Sequence, residues 1–209
     1  MTNPLPRFRL VLLGDSLAYG TGAARPEDRL GPRLAGALTA AGHDADVAVL
    51  AVPGATTADL AAQVPRAVAV SPDLAIVIVG ANDLLRLNPA APAAARLGAA
   101  VSALRAGGSD VLVVTAPDLS VVPQVPPAWR AQVQAACVAL QQLQATAVTR
   151  AGGVAVPLGS GLAPRFARER GLLSADRFHP SSAGYGVLAG ALAPDVIALA
   201  EARRAPAAA

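Results

Sequence analysis

The chain contains two histidines, and imidazole is the side chain best suited to take up and return a proton near neutral pH. One of them, His179, follows Asp176 by three positions. This spacing would let the carboxylate bind one ring nitrogen and leave the other to act as a base. A serine hydroxyl needs such a base before it can attack a carbonyl, and Ser16 lies in the turn after the first predicted strand. Ligands of parallel sheets bind at that edge, so the three residues predict acyl transfer through a serine.

Attack on a carbonyl places negative charge on its oxygen, which requires hydrogen-bond donors about 3 Å away. Three donors follow predicted strands: the backbone N–H of Ser16 at the start of the next helix, the backbone N–H of Gly54, and the side-chain amide of Asn82. Two of them also have a simpler interpretation, since Gly54 fits a turn after a proline and Asn82 fits an Asx-turn. Together they predict an oxyanion hole.

Other polar residues near these positions have structural interpretations. Asp15 and Asp83 are each adjacent in sequence to a candidate residue, and adjacent side chains generally point apart, so we expect them to brace their own turns through backbone hydrogen bonds. Asp176 could instead cap a turn or pair with Arg177. His43 follows the first long helix, at the opposite edge of the predicted sheet, and we expect it to be a solvated loop residue.

Short apolar runs alternate with longer alanine-rich segments along the chain. The apolar runs predict five strands, over residues 8–13, 46–52, 74–79, 111–115 and 154–157. The segments between and after them predict helices, over residues 26–41, 56–70, 92–106, 128–151 and 181–202. Right-handed crossovers between such strands give an α/β fold, a three-layer α/β/α sandwich around a five-stranded parallel sheet.

The pattern contains no internal repeat and no linker, so we expect one domain over residues 1–209, with a core at about 8–200 and a frayed tail at 205–209. Three connections do not fit the alternation of strands and helices, and we expect them to line a pocket. They are residues 84–92, 116–129 and 158–178. Their apolar residues favour a short or medium acyl chain. Arg86 and Arg165 are expected to be solvated or to meet an anionic head group, and Trp129 fits either a pocket wall or a helix packed on the core.

The chain resembles the SGNH, or GDSL, hydrolase superfamily in separate sequence blocks that follow the superfamily's order. Gly14-Asp15-Ser16-Leu17 matches the first block, Gly80-Ala81-Asn82-Asp83 the third, and Asp176-Arg177-Phe178-His179-Pro180 the last. The second block keeps Gly54 but lacks the asparagine that often precedes it. The resemblance covers residues from about 8 to 199.

This resemblance implies a flavodoxin-like fold and esterase, lipase, thioesterase or carbohydrate-deacetylase activity without a metal or organic cofactor. In its terms Ser16 is the nucleophile, His179 the general base and Asp176 its orienting acid. The N–H groups of Ser16 and Gly54 and the amide of Asn82 form the oxyanion hole. The expected partner is a small-molecule ester or thioester, and action on acylated sugars is the alternative.

A noncatalytic ligand-binding domain is a competing hypothesis, in which Gly20-Thr21-Gly22 and a nearby helix start hold a phosphate. It accounts for fewer features. Arg25 occupies the place where the dinucleotide-binding pattern needs its third glycine, and no acid follows the second predicted strand in the usual ribose-binding place.

Composition excludes several other classes. All 17 cationic side chains are arginines dispersed along the chain, so we expect no nucleic-acid partner despite the net charge of +3. The apolar runs are shorter than the roughly 18–20 residues of a membrane span, and the run after Arg9 is shorter than a signal-peptide core. We therefore expect no stable membrane insertion and a cytoplasmic protein. Cys137 has no internal disulfide partner and is expected to be buried, and the sequence does not specify an oligomeric state.

Overall fold

A single parallel sheet forms the centre of the protein. The computed structural model describes residues 7–157 and 162–204, so the predicted tail at 205–209 and the first part of the predicted 158–178 connection lie outside the described residues. The strands are β1 (Phe8–Gly14), β2 (Ala45–Val49), β3 (Leu74–Ile78), β4 (Asp110–Val114) and β5 (Val154–Val156). They are ordered β2-β1-β3-β4-β5, and every pairing is parallel.

The strands are nearly continuous apolar runs because helices cover both faces of the sheet. All five residues of β3 are buried. Along β1, Leu10 and Leu12 point into one apolar layer, whereas Val11 and Leu13 point into the other. This alternation follows from the two-residue period of a strand and divides the core into two halves.

Eight α-helices of the described chain surround the sheet. They are α1 (Ser16–Tyr19), α2 (Leu30–Ala40), α3 (Leu60–Ala69), α4 (Ala81–Leu85), α5 (Ala90–Ala106), α6 (Arg130–Arg150), α7 (Leu162–Arg168) and α8 (Ser182–Arg204). The apolar faces of α2 and α8 pack on one side of the sheet, and those of α3, α5 and α6 pack on the other. The predicted three-layer sandwich is therefore confirmed.

The structure differs from the sequence-based prediction mainly where helices begin. The segment predicted as one helix over 26–41 has a 3₁₀ turn at Pro26–Asp28, and extended backbone at Arg29 separates that turn from α2. A similar 3₁₀ turn at Thr57–Asp59 precedes α3. There the carboxylate of Asp59 accepts from both the N–H and the hydroxyl of Thr56, which stabilises the tighter turn.

His43 contradicts the expectation of a solvated loop residue, because it is 5% exposed. Its backbone N–H donates to the carbonyl of Leu38, which closes the turn after α2. The ring then packs edge-on against Phe8 at the start of β1, with 6.4 Å between ring centroids. The position at the amino edge of the sheet is as predicted, but the aromatic contact buries the side chain.

Helix α8 combines 23 residues with high apolar content, and by length and composition alone it could cross a membrane. A core helix of a globular domain passes the same test, so this is weak support for insertion. Tyr185, Leu188 and Leu192 on its inner face are buried in the core layer shared with α2. The same helix begins after Ser181, whose hydroxyl accepts from the N–H of Gly184, as expected for a capping residue.

Candidate active site

The turn after β1 places Ser16 at the carboxyl edge of the sheet. Gly14 adopts φ +121°, and a Cβ at this position would overlap the backbone carbonyl of Ile78 on β3. Only glycine fits this close approach of the two strands. Asp15 then caps α1 by accepting from the N–H of Leu17 at 3.0 Å, the backbone bracing role expected for it. The turn leaves Ser16 as the first helical residue, half-buried and beside β3.

Three side chains from the two ends of the chain meet at this edge. Nε2 of His179 lies 3.0 Å from Oγ of Ser16, and Nδ1 of the same ring lies 2.6 Å from Oδ2 of Asp176. Phe178 packs edge-on against the imidazole, with 5.0 Å between ring centroids. The structure therefore brings the three predicted residues into one hydrogen-bonded line, and it holds the ring between its two partners.

Asp176 is held as an anion by hydrogen bonds from its own loop. Partial burial opposes its ionisation, but donors from His179, Phe178 and Ser174 outweigh burial and hold the pKa of this carboxyl well below its usual range. Its partner among the described residues is the imidazole of His179, and it makes no ion pair with the neighbouring Arg177. An ionised carboxylate at this place favours an N–H on Nδ1 and leaves Nε2 with a lone pair toward the serine.

Asp15 is a second acid at the site, with different surroundings. It is 2% exposed, and desolvation raises its pKa to about 7 in spite of the hydrogen bond from the N–H of Leu17. The hydrogen bond from Leu17 and the electrostatic effect of the neighbouring imidazole act in the opposite direction and lower this pKa. Two carboxyl groups near one imidazole thus differ widely in acidity because one accepts several hydrogen bonds and the other is buried.

Each of the three predicted oxyanion donors has an N–H without a protein acceptor in the described part of the chain. In the described part of the chain no protein acceptor pairs with the N–H of Ser16 or of Gly54. Gly54 has φ +83° and open space on its Cβ side. The amide of Asn82 uses one N–H on the carbonyl of Ala55 at 2.9 Å, which leaves the other available. Helix α1 is a single turn, so its dipole contributes little at Ser16.

Asp83 does not brace its own turn as expected. Its carboxylate accepts from the N–H and the hydroxyl of Thr57, both at 2.9 Å, and from the side chain of Asn88 at 3.2 Å. The difference arises because the turn after β3 packs against the loop after β2, so the nearest unpaired donors belong to that loop. Asp83 therefore links the segment of Asn82 to the segment of Gly54.

An apolar cavity of about 120 Å³ opens beside Ser16 and His179. The connection after β4, α7 and the loop before α8 line this cavity. This agrees with the prediction for the connections 116–129 and 158–178. Residues 84–92 do not contribute to the cavity. Apolar lining side chains include Ile78, Leu119, Val122, Leu162, Phe166, Leu173, Phe178 and Leu188.

Three of the predicted polar and aromatic contributors lie outside the cavity lining. Arg86 donates to the carbonyl of Gly54, and Arg165 pairs with Glu169 in an exposed position, so neither faces the cavity. Trp129 is 57% exposed and belongs neither to the cavity nor to the core, which contradicts both interpretations of it. Cys137 is fully buried, as expected.

The chain matches the GDSL-like lipase/acylhydrolase family over residues 12–187, which includes every residue of the hydrogen-bonded line. It belongs to this family. The GDSL-like esterase Rv1075c of Mycobacterium tuberculosis is 40% identical over 195 residues, a stretch that covers 91% of this chain. The chain spans 60% of the length of that relative.

Solved structures share the fold of this GDSL-like chain. The crystal structure of TesA has a TM-score of 0.75 at 23% identity, covering 91% of this chain and 99% of that one. The acetylxylan esterase Axe2 of Geobacillus stearothermophilus has a TM-score of 0.72 at 20% identity, covering 90% and 94%. These similarities confirm the predicted α/β class and the sheet at its centre.

Several supporting residues of the GDSL-like site are not identifiable from sequence blocks. Buried Gln63 on α3 binds both the N–H and the carbonyl of Gly14, at 2.7 and 2.9 Å. Buried Gln144 on α6 likewise binds the carbonyl of Val79 and the N–H of Ala116. Each amide acts as an extra strand partner where the sheet ends. A glutamine at a core position of a helix is the one signal that could have indicated them.

The Gly20-Thr21-Gly22 segment of the competing hypothesis is packed into the site. The carbonyl of Thr21 accepts from the hydroxyl of Tyr185 at 2.8 Å. A Cβ on Gly22 would lie 2.5 Å from the carbonyl of Pro180 and 3.0 Å from the Cβ of His179. The glycine at 22 therefore allows close contact with the loop of His179, and the segment packs against that loop rather than forming an open phosphate loop.

Proposed function

We propose that the protein is a carboxylic ester hydrolase that works through a serine acyl-enzyme. The observation that carries this proposal is the line from Oγ of Ser16 to Nε2 of His179, and from Nδ1 of His179 to Oδ2 of Asp176, with distances of 3.0 and 2.6 Å. Membership of the GDSL-like lipase/acylhydrolase family supports the same reaction class.

In the first half of the reaction, Oγ of Ser16 attacks the ester carbonyl carbon while Nε2 of His179 takes the hydroxyl proton. Asp176 stabilises the imidazolium that forms and keeps its ring oriented. Negative charge develops on the carbonyl oxygen, and the N–H groups of Ser16 and Gly54 and the free N–H of Asn82 would receive it. The tetrahedral adduct then collapses, the bond to the leaving oxygen or sulfur breaks, and His179 returns the proton to that leaving group.

In the second half, water attacks the acyl group on Ser16 and gives its proton to His179. Collapse of this second adduct breaks the bond from the acyl carbon to Oγ of Ser16, His179 returns its proton to Oγ, and the carboxylic acid is released. His179 therefore ends each half of the reaction as the neutral imidazole with which it began. Over the whole cycle water supplies the hydroxyl of the released acid and the proton of the leaving group, so the protons balance.

The acyl side of the substrate would occupy the apolar cavity next to Ser16. Its volume of about 120 Å³ is below the roughly 300–1,000 Å³ of pockets that hold drug-sized ligands. The described walls are mostly aliphatic and aromatic side chains, with the polar groups near the serine. We therefore propose esters or thioesters of short to medium acyl chains as substrates.

Deacetylation of acylated sugars is a second candidate, and one observation favours it. The acetylxylan esterase Axe2 shares the fold, and catalytic mutants of it carry substitutions of a serine, an aspartate and a histidine. An acetyl group, however, would leave most of the apolar cavity unused. The cavity therefore supports acyl chains longer than acetyl as the preferred substrates.

The proposal is tested with nitrophenyl esters and acyl thioesters that range from acetyl to long acyl chains. Ser16→Ala should lower kcat on the order of a million-fold and abolish labelling by a phosphonyl fluoride. Ser102→Ala, a serine exposed on α5, is the matched control and should retain full activity. A Ser16→Ala variant that is as active as wild type, or a phosphonyl label on a residue other than Ser16, would refute the proposed function.

The acyl-chain assignment has its own test at Phe166, which lines the cavity from α7. A Cβ at Gly184 would lie 3.1 Å from its ring, so Phe166 fills the space between the cavity and α8. Phe166→Ala should enlarge the cavity and shift the preferred ester toward longer acyl chains in the same series. An unchanged chain-length profile with full activity would show that the acyl chain binds elsewhere.

A further inference from the structure

Ser174 lies two residues before Asp176, and its hydroxyl is directed at the carboxylate. Oγ of Ser174 donates to Oδ1 of Asp176 at 2.8 Å. The backbone N–H groups of Phe178 and His179 donate to the same oxygen at 2.8 and 2.9 Å. Three donors thus converge on Oδ1, and Oδ2 is left to the imidazole at 2.6 Å.

This division matters because the carboxylate is not confined by packing. The side chain of Asp176 is 48% exposed, against 20% for that of His179. A half-exposed carboxylate ordinarily samples several rotamers, and losing that freedom costs free energy. The hydrogen bonds to Oδ1 therefore have to restrict the rotamer of Asp176, as packing does for a buried side chain. Hydrogen bonds to charged groups are stronger than those between neutral groups.

The backbone holds the hydroxyl of Ser174 in position. Its N–H donates to the carbonyl of His179 at 2.8 Å, and its carbonyl accepts from the N–H of Arg177 at 2.9 Å. Arg177 adopts φ +56°, a left-handed conformation that reverses the chain between the acid and the histidine. Backbone hydrogen bonds thus connect Ser174 to Arg177 and His179, within the segment that carries Asp176 and His179.

A glycine of another loop leaves room for this arrangement. A Cβ on Gly22 would lie 3.0 Å from Oγ of Ser174, tighter than ordinary packing allows. Gly22 itself has φ +95°, which disfavours any residue with a side chain. The loop after α1 therefore packs closely over the hydroxyl without displacing it.

We propose that Ser174 is a positioning residue for acyl transfer, which acts by fixing Asp176 so that Oδ2 faces the imidazole of His179. The inference rests on the proposed function of the site. Ser174 touches neither Ser16 nor the reacting atoms, so its effect passes through the carboxylate alone. Removal of its hydroxyl should lower kcat by about tenfold and leave KM unchanged, since one hydrogen bond to a charged group is lost and substrate contacts are retained.

The experiment compares Ser174→Ala with Ser181→Ala on one nitrophenyl ester. Ser181 belongs to the same connection and donates to the carbonyl of Gly171 at 2.6 Å, but it makes no bond to Asp176. Its loss should loosen the loop and lower the melting temperature while kcat stays within about twofold of wild type. Ser174→Ala should lower kcat even where its melting temperature equals that of the control.

A double variant separates positioning from general support of the fold. In an Asp176→Ala background, Ser174→Ala should cause no further loss of kcat, because the group through which it acts is absent. A Ser174→Ala loss that persists in that background, or a Ser174→Ala enzyme within twofold of wild type, overturns the inference. If Ser16→Ala is fully active, the proposed function fails instead, and the two failures are thereby distinguished.

Discussion

Replacing Asp15 with asparagine should make the protein more stable at neutral and alkaline pH, although it changes a residue next to the proposed nucleophile. Asp15 is buried, and desolvation raises its pKa from the ordinary value of 3.8 to about 7. A tenfold change in proton affinity is worth about 1.4 kcal/mol, so the ionised carboxylate costs the folded state on the order of 4 kcal/mol. Asparagine can still accept from the N–H of Leu17 as a helix cap and carries no charge.

The pH dependence follows from the direction of this change. Below about pH 4 the carboxyl is protonated in both the folded and the unfolded chain, and it costs nothing. Between about pH 4 and 7 the unfolded chain releases the proton while the folded chain keeps it, so the free energy of unfolding falls as pH rises. Above pH 7 the cost is complete. Asp15→Asn should therefore gain stability over wild type progressively across this window.

Urea unfolding followed by circular dichroism at several pH values from 5 to 8 measures this difference, provided that the m-value stays constant. Asp195→Asn removes an exposed acid from α8 and is the matched control, with a curve expected to run parallel to wild type. If wild type and Asp15→Asn also run parallel from pH 5 to 8, the carboxyl is not desolvated in the folded protein and the reasoning is wrong.

Five further substitutions test three other parts of the structure. Asn82→Ala should lower kcat roughly 100- to 1,000-fold in a nitrophenyl ester assay, as expected for one oxyanion donor, and a loss below tenfold would remove Asn82 from the oxyanion hole. His43→Ala should lower the free energy of unfolding in urea by about 1–3 kcal/mol, because the ring is buried, and should retain the kcat of wild type. His179→Ala should be inactive. The reverse pattern would refute the assignment of His179 as the base. Gly14→Ala should prevent stable folding, because the added Cβ would overlap a carbonyl of β3. Gly54→Ala faces open space at φ +83° and should lower the free energy of unfolding by only about 1 kcal/mol. Equal losses of stability in thermal unfolding would contradict this geometry.

The sheet was predictable because its strands are buried on both faces. Such strands appear in the sequence as short runs of apolar residues, and all five observed strands overlap the predicted runs. Helix starts were less predictable, as the 3₁₀ turn at Pro26–Asp28 shows. The choice between a 3₁₀ turn and an α-helix depends on which nearby group accepts each free N–H, and this varies over a few residues without changing the apolar pattern.

The residues of the site were predictable where their chemistry is local. Asp176 and His179 are three positions apart, and Ser16 follows a strand, so their types and positions indicate the reaction. The partners of Asp83 and Gln63 were not predictable. Thr57 lies 26 positions from Asp83, and Gly14 lies 49 positions from Gln63, so each pair exists only after two loops or a helix and a strand have packed.

The amino-acid sequence by itself determined which layers form and indicated which side chains make up the candidate site, because periodic burial and short-range spacing are properties of consecutive residues. Tertiary structure decided which oxygen of Asp176 meets the imidazole, why the acid at position 15 holds its proton near neutral pH, and why His43 is buried. These properties depend on distances between segments that are remote along the chain and on the exclusion of water when those segments pack together.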